Sequence, residues 1–180
     1  ADLAQVRRMI ADPKSAALVD NFGGQWLFIR GIDDIVKDSA TFPEFDETLK
    51  TSMREEMERF FESFVLAPRD MRELLTATEG EIDEVLAEHY GIAVSGSGWQ
   101  SVDLASHERG GLLGQAGLLA SQAYPNRTSP VIRGKFVLGQ LLCDEPPPPP
   151  PDIPTLEESS DAATVRERLE QHRANPVCAS

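Results

Sequence analysis

Apolar side chains recur every three or four positions along most of this chain, and that spacing predicts a mainly α fold, an irregular helical bundle. Leu3, Val6, Met9 and Ile10 mark a first helix that Pro13 interrupts. A second helical stretch is expected over residues 15–29, with Ala17, Leu18, Phe22, Trp26 and Ile29 as its core face. Gly23 and Gly24 lie inside it, each costing roughly 1 kcal/mol against alanine, so either the helix kinks there or another backbone packs very close. The strongest periodicity covers residues 43–65, where Phe45, Leu49, Met53, Met57, Phe60, Phe61 and Phe64 form one stripe. Glu44, Asp46 and Glu47 suit the positive end of that helix, and Glu55, Glu56, Glu58 and Glu62 read as its surface.

Weaker signals follow. Short helices are expected over 69–75 and 80–89, the latter with Ile82, Val85 and Leu86 inward and Gly91 as its stop. Residues 92–104 are rich in Gly and Ser with weak alternation, which predicts a loop or a short hairpin and marks an internal boundary. On that reading the chain divides into a helical unit over 1–95 and a second over 96–180. The second begins with a small-residue helix over 112–123. The next helix has Ser129 as its N-cap and Pro130 at its first position, with Val131, Val137, Leu138, Leu141 and Leu142 as its stripe. The prolines over 146–151 favour an extended left-handed helix, read as a stiff spacer or surface brace, with an SH3- or WW-type ligand as the alternative. A charged helix over 161–173 precedes the final residues.

Composition narrows the function classes. The 180 residues are 41% hydrophobic, enough for a real core, and carry 30 acidic against 17 basic side chains, a formal net charge of −13. So acidic a surface repels phosphate backbones and anionic lipid, which argues against nucleic-acid and membrane-surface partners. No run of about 18 apolar residues is present, so no membrane insertion is expected. The opening residues also lack the basic and apolar regions of a signal peptide.

Candidate chemistry is sparse. His89, His107 and His172 have no second ligand at zinc spacing. Glu58 and Glu62 lack the Glu-x-x-His partner of a di-iron bundle, so no metal site is expected. No nucleophile-elbow signature is present, and Gly110-Gly111-Leu112-Leu113-Gly114 lacks the lysine of a phosphate-binding loop. The sharpest signal is Cys178-Ala-Ser180, the opening of a Cys-x-x-Cys-His run, which attaches haem through two thioethers. The chain itself holds neither the second cysteine nor that histidine, so no cofactor is expected in it as it stands.

Longer stretches carry a resemblance. NFGGQWL (21–27), FPEFDETLKTSMREEMERFFESFV (42–65) and EVLAEHYGI (84–92) resemble the family known as domain of unknown function 1592. RGGLLGQAGLLASQAYPNRTSPVIRGKFVLGQLLCDEPPPPPPDIP (109–154) and TVRERLEQHRANPVCAS (164–180) resemble domain of unknown function 1588. The resemblance implies a segment of a large exported bacterial protein, periplasmic or extracellular, associated with cytochrome c modules. It also implies that the segment begins inside the first domain and that Cys178 is the first thioether cysteine of a longer parent. Its expected partners are the other domains of that parent, and haem c is the cofactor suspected there. Arg109, Arg127 and Arg133 lie in the second stretch and are candidates for binding an anion or a haem propionate. The leading reading is a scaffold segment of a haem-c-linked redox protein. A non-catalytic helical interaction or structural domain is the alternative, and a hydrolase has no residue-level support.

Overall fold

The first helix forms where the apolar spacing places it, yet it buries nothing. In the computed structural model, which describes residues 2–67, 69–148 and 164–174, α1 (Leu3–Ile10) is capped by the Asp2 side chain and carries Arg7 and Arg8 in its last turn. Its apolar residues stay exposed, Leu3 at 71% and Met9 at 58%. The structure divides into two compact units, Ala1–Phe136 and Val137–Ser180.

The expected second helix is assembled from short pieces. A 3-10 turn over Pro13–Ser15 leads into α2 (Ala16–Leu18), a wide π turn over Val19–Gly23 and then α3 (Gly24–Trp26). The buried residues are Val19, Gly23, Gly24, Leu27 and Ile29, whereas Leu18 and Phe22 are exposed at 45% and 53%. The inward face is thus one position away from the expected one for most of its length. The π turn shifts the face, and it sets Gly23 so close to the Phe61 ring that a Cβ would stand 2.5 Å from it. What packs against Gly23 is an aromatic side chain rather than a neighbouring backbone, at the end of the π turn that interrupts the helix. Phe22 and Trp26 stack beside that ring, their own centroids 5.4 Å apart.

α4 (Glu47–Val65) organises this unit. Asp46 caps it by accepting the Leu49 N–H at 2.8 Å, so the helix begins four residues later than the sequence pattern suggested. Leu49, Met53, Met57, Phe60, Phe61 and Phe64 are all buried, and Phe45 is half-buried beside them. Each fully buried apolar side chain contributes roughly 1.5–3 kcal/mol relative to exposure. Glu55, Glu58 and Glu62 face outward as expected, but Glu56 is buried with the stripe, at 3% exposure.

Past a 3-10 turn at Met71–Leu75, the chain makes β1 (Glu79–Ile82), α5 (Glu84–Tyr90) and β2 (Gln100–Asp103). Of the loop or short hairpin expected over 92–104, residues 92–99 form the loop, and β2 pairs antiparallel with β1, Gly80 opposite Val102, across the intervening helix. The helix expected over 80–89 correspondingly starts only at Glu84, where Asp83 accepts the Leu86 N–H. Gly80 permits the pairing because the Leu104 side chain occupies the place of its missing Cβ. Leu49, Met53, Ile82, Leu86, Ile92, Leu104 and Ala116 close one core around these elements.

Gly111 then turns the chain into a 3-10 turn at Leu112–Gly114 and α6 (Ala116–Ser121), which packs on α4. Gly111 has φ +59°, its N–H donates to the Ala77 carbonyl at 2.7 Å, and a Cβ there would stand 2.3 Å from the Leu75 carbonyl. α7 (Pro130–Phe136) is capped by Ser129 as the sequence predicts and ends the unit at buried Phe136. In the second unit a π turn spans Val137–Leu141, and α8 (Val165–Arg173) starts from a capping box. There Thr164 Oγ1 accepts the Glu167 N–H, and Glu167 accepts the Thr164 N–H. Of the proline run, residues 149–151 lie outside the described residues.

The glycines give a direct test of this packing. Gly111→Ala is expected to cost at least about 2 kcal/mol, since it combines a strained φ with a backbone clash. Gly134→Ala, on α7 with open space around it, should stabilise by about 0.5–1 kcal/mol. Urea unfolding midpoints of the two variants check both signs.

Candidate functional site

Glu56 reaches the interior because it lies on the apolar side of α4, three residues after Met53 and four before Phe60. Its carboxylate meets the Tyr90 hydroxyl at 2.7 and 2.9 Å, and that hydroxyl in turn accepts the Ala116 N–H at 2.9 Å. One side chain from α5 therefore links the long helix to the first residue of α6. Burial pushes the Glu56 carboxyl up to about 7, against the opposing pull of the Tyr90 hydrogen bond and of the Arg109 charge. Burial, and then the Glu56 charge, hold the Tyr90 phenol well above its ordinary value, so it remains a donor at neutral pH. Nearby, Ser52 donates to Asp83 at 2.6 Å and so ties α4 to the cap of α5.

Arg109 lies over this network. Its guanidinium stacks 3.9 Å from the Tyr90 ring centroid, and Nη1 donates to the Gly114 carbonyl at 2.9 Å. On its other side opens an apolar cleft of about 250 Å³, walled by Phe42, Phe45, Met53, Ala116, Leu119 and Ala120. Arg127 reaches the same cleft from the 123–128 loop, which an isolated bridge between Ala123 and Thr128 closes. Its guanidinium lies 4.6 Å from the Tyr124 ring centroid, and its Nε is buried without a hydrogen-bond partner. Lys37 holds that loop in place, donating to the Ala120, Ala123 and Tyr124 carbonyls at 2.9, 3.3 and 3.0 Å. Burial lowers the pKa of its ammonium.

The arginines named from sequence are thus placed differently. Arg109 and Arg127 line one cleft, whereas Arg133 on α7 is not among its lining residues. His89 lines the cleft too, its pKa lowered by burial and then by Arg109. The carboxylate on the rim is Glu44, and no serine lines the wall. His107 is exposed in a 3-10 turn, Cys143 is free and exposed, and Cys178 lies outside the described residues. No group of three or more His, Cys, Asp or Glu among the described residues could hold a metal ion. None of the described helices is long and apolar enough to cross a membrane.

Sequence reasoning missed Glu56, Tyr90 and Lys37. Glu56 left a signal, its position on the stripe; Lys37 and Phe42 left none, because they sit in an irregular segment.

Two family models match in tandem. Residues 3–92 match PSD4, protein of unknown function (DUF1592), and residues 109–180 match PSCyt3, protein of unknown function (DUF1588). The chain belongs to the DUF1592 family, joined to a DUF1588 region. No curated protein and no solved structure matches it. The seam between the two matches falls within unit Ala1–Phe136, so the Tyr90 hydroxyl of the DUF1592 part is bonded to Ala116 of the DUF1588 part.

The buried carboxyl makes stability depend on pH. A folded-state pKa of about 7 lies above the ordinary 4.5, so the fold favours the protonated acid. Its contribution is fully present below the unfolded value and is lost as pH rises through about 7. The loss is on the order of 3 kcal/mol. Glu56→Gln removes the titration, so between about pH 4 and about pH 8 the variant should gain about that much relative to wild type. Paired urea titrations at the two pH values measure it, and a constant difference contradicts the burial argument.

Proposed function

We propose that this chain is a scaffold segment of an exported, haem-c-linked redox protein. The observation that carries the reading is Cys178-Ala-Ser180 within the DUF1588 match, which has the form of the opening of a Cys-x-x-Cys-His run. The geometry of the first unit supports the scaffold part. Ser52, Glu56, Asp83, Tyr90 and Lys37 each bind another element of the fold.

A haem belongs elsewhere than in the cleft of the first unit. At about 250 Å³ the cleft is smaller than the roughly 300–1,000 Å³ of drug-sized sites, and a porphyrin ring does not enter it. Arg109 and Arg127 therefore do not enclose a porphyrin within this cleft. The second reading, a helical interaction domain, draws on the exposed apolar face of α1 together with Leu18.

Expression of the parent reading frame through and beyond Ser180, with c-type haem maturation, distinguishes the two readings. The scaffold reading expects covalent haem absorbance that is lost in Cys178→Ala. A parent with no Cys-His completion and no covalent haem leaves the interaction-domain reading.

A further inference from the structure

The cleft between α4, α6 and the 123–128 loop combines apolar walls with a concentration of positive charge that the rest of the chain opposes. Among the lining residues Lys37, Arg109 and Arg127 stand against the carboxylate of Glu44, with Glu56 behind Tyr90 also facing Arg109, on a chain whose formal net charge is −13. Lys37 has its hydrogen bonds filled by three carbonyls. Arg127 makes no ion pair among the described residues, its guanidinium packed against the Tyr124 ring, and Arg109 spends one Nη1 bond on Gly114. Guanidinium groups offer a planar fork that matches a carboxylate. Phe42, Phe45, Met53 and Leu119 meanwhile present an apolar surface suited to a ring.

We propose that this cleft binds a small arylalkanoic acid, with its ring against Phe42, Phe45 and Leu119 and its carboxylate at Arg109 and Arg127. The size follows from the volume. Benzene fills an apolar cavity of about 150 Å³, so about 250 Å³ takes one ring and a short acid arm. The charge follows from the rim, which leaves a cationic or neutral guest without a partner for two arginines. This site is independent of the haem reading, since it uses only residues of Ala1–Phe136 and makes no use of Cys178.

Calorimetric titration of the full 180-residue chain with 3-phenylpropanoate tests the proposal, with 3-phenylpropanamide as the uncharged control. The acid should bind roughly tenfold or more tightly than the amide, the scale of one charge-assisted hydrogen-bonded pair. Arg127→Gln, in a loop held by Lys37 and the Ala123–Thr128 bridge, should erase that preference while leaving the thermal unfolding transition in place. The proposal is overturned if the acid shows no binding at millimolar concentration. It is equally overturned if the amide binds as tightly as the acid, or if Arg127→Gln binds the acid as wild type does.

Discussion

A single buried carboxyl holds three helices together. Glu56 on α4, the Tyr90 hydroxyl on α5 and the Ala116 amide that opens α6 form one hydrogen-bonded chain inside the core. An isolated buried carboxylate would be costly, and the fold answers that cost in two ways. It supplies a neutral phenol as donor, and it raises the acid's pKa so that the proton can stay. Arg109, stacked on Tyr90, completes the arrangement and at the same time forms the back of the cleft. The polar centre of the core and the candidate binding site therefore share their wall.

The same network joins the two matched parts of the chain. Residues 109–136 belong to the compact unit that also contains the DUF1592 match, and the Gly111 N–H and Ala116 N–H are both bonded back to it. Without α6, the Tyr90 hydroxyl loses its donor from Ala116, and Met53 and Leu49 lose Ala116 from their cluster. The DUF1592 part is thus completed by the first segment of the DUF1588 part. The seam between sequence families is not a seam in the packing.

Much of this fold was legible in the sequence, and the exceptions have physical causes. The stripe of α4 was readable because six large apolar residues at helical spacing leave no other face to bury, and Ser129 and Pro130 announced α7 correctly. Glu56 shares the stripe's spacing, but its charge reads as surface. Position outweighed residue type there because Tyr90 was available as a partner. The π turn at Val19–Gly23 moved the inward face by one position, a shift that no fixed period anticipates. The β1–β2 pair was hidden because four-residue strands separated by a helix carry little pattern, and their register is set by Gly80 meeting Leu104. For the cleft, Arg109 and Arg127 stood out as arginines within a family-like stretch. The residues that shape it, Lys37 and Phe42, come from an irregular segment held by turns around Asp38 and by the Lys37 contacts to the 120–124 carbonyls.

The central claim is that Glu56 and Tyr90 act as a coupled pair on which helix packing depends. A double-mutant cycle with Glu56→Leu and Tyr90→Phe, in which each substitution removes one partner of the hydrogen bond, measures that coupling by urea unfolding. The structure predicts an interaction of about 1–3 kcal/mol between the two substitutions. Additivity to within about 0.3 kcal/mol would mean that the pair contributes independently, and would contradict the account.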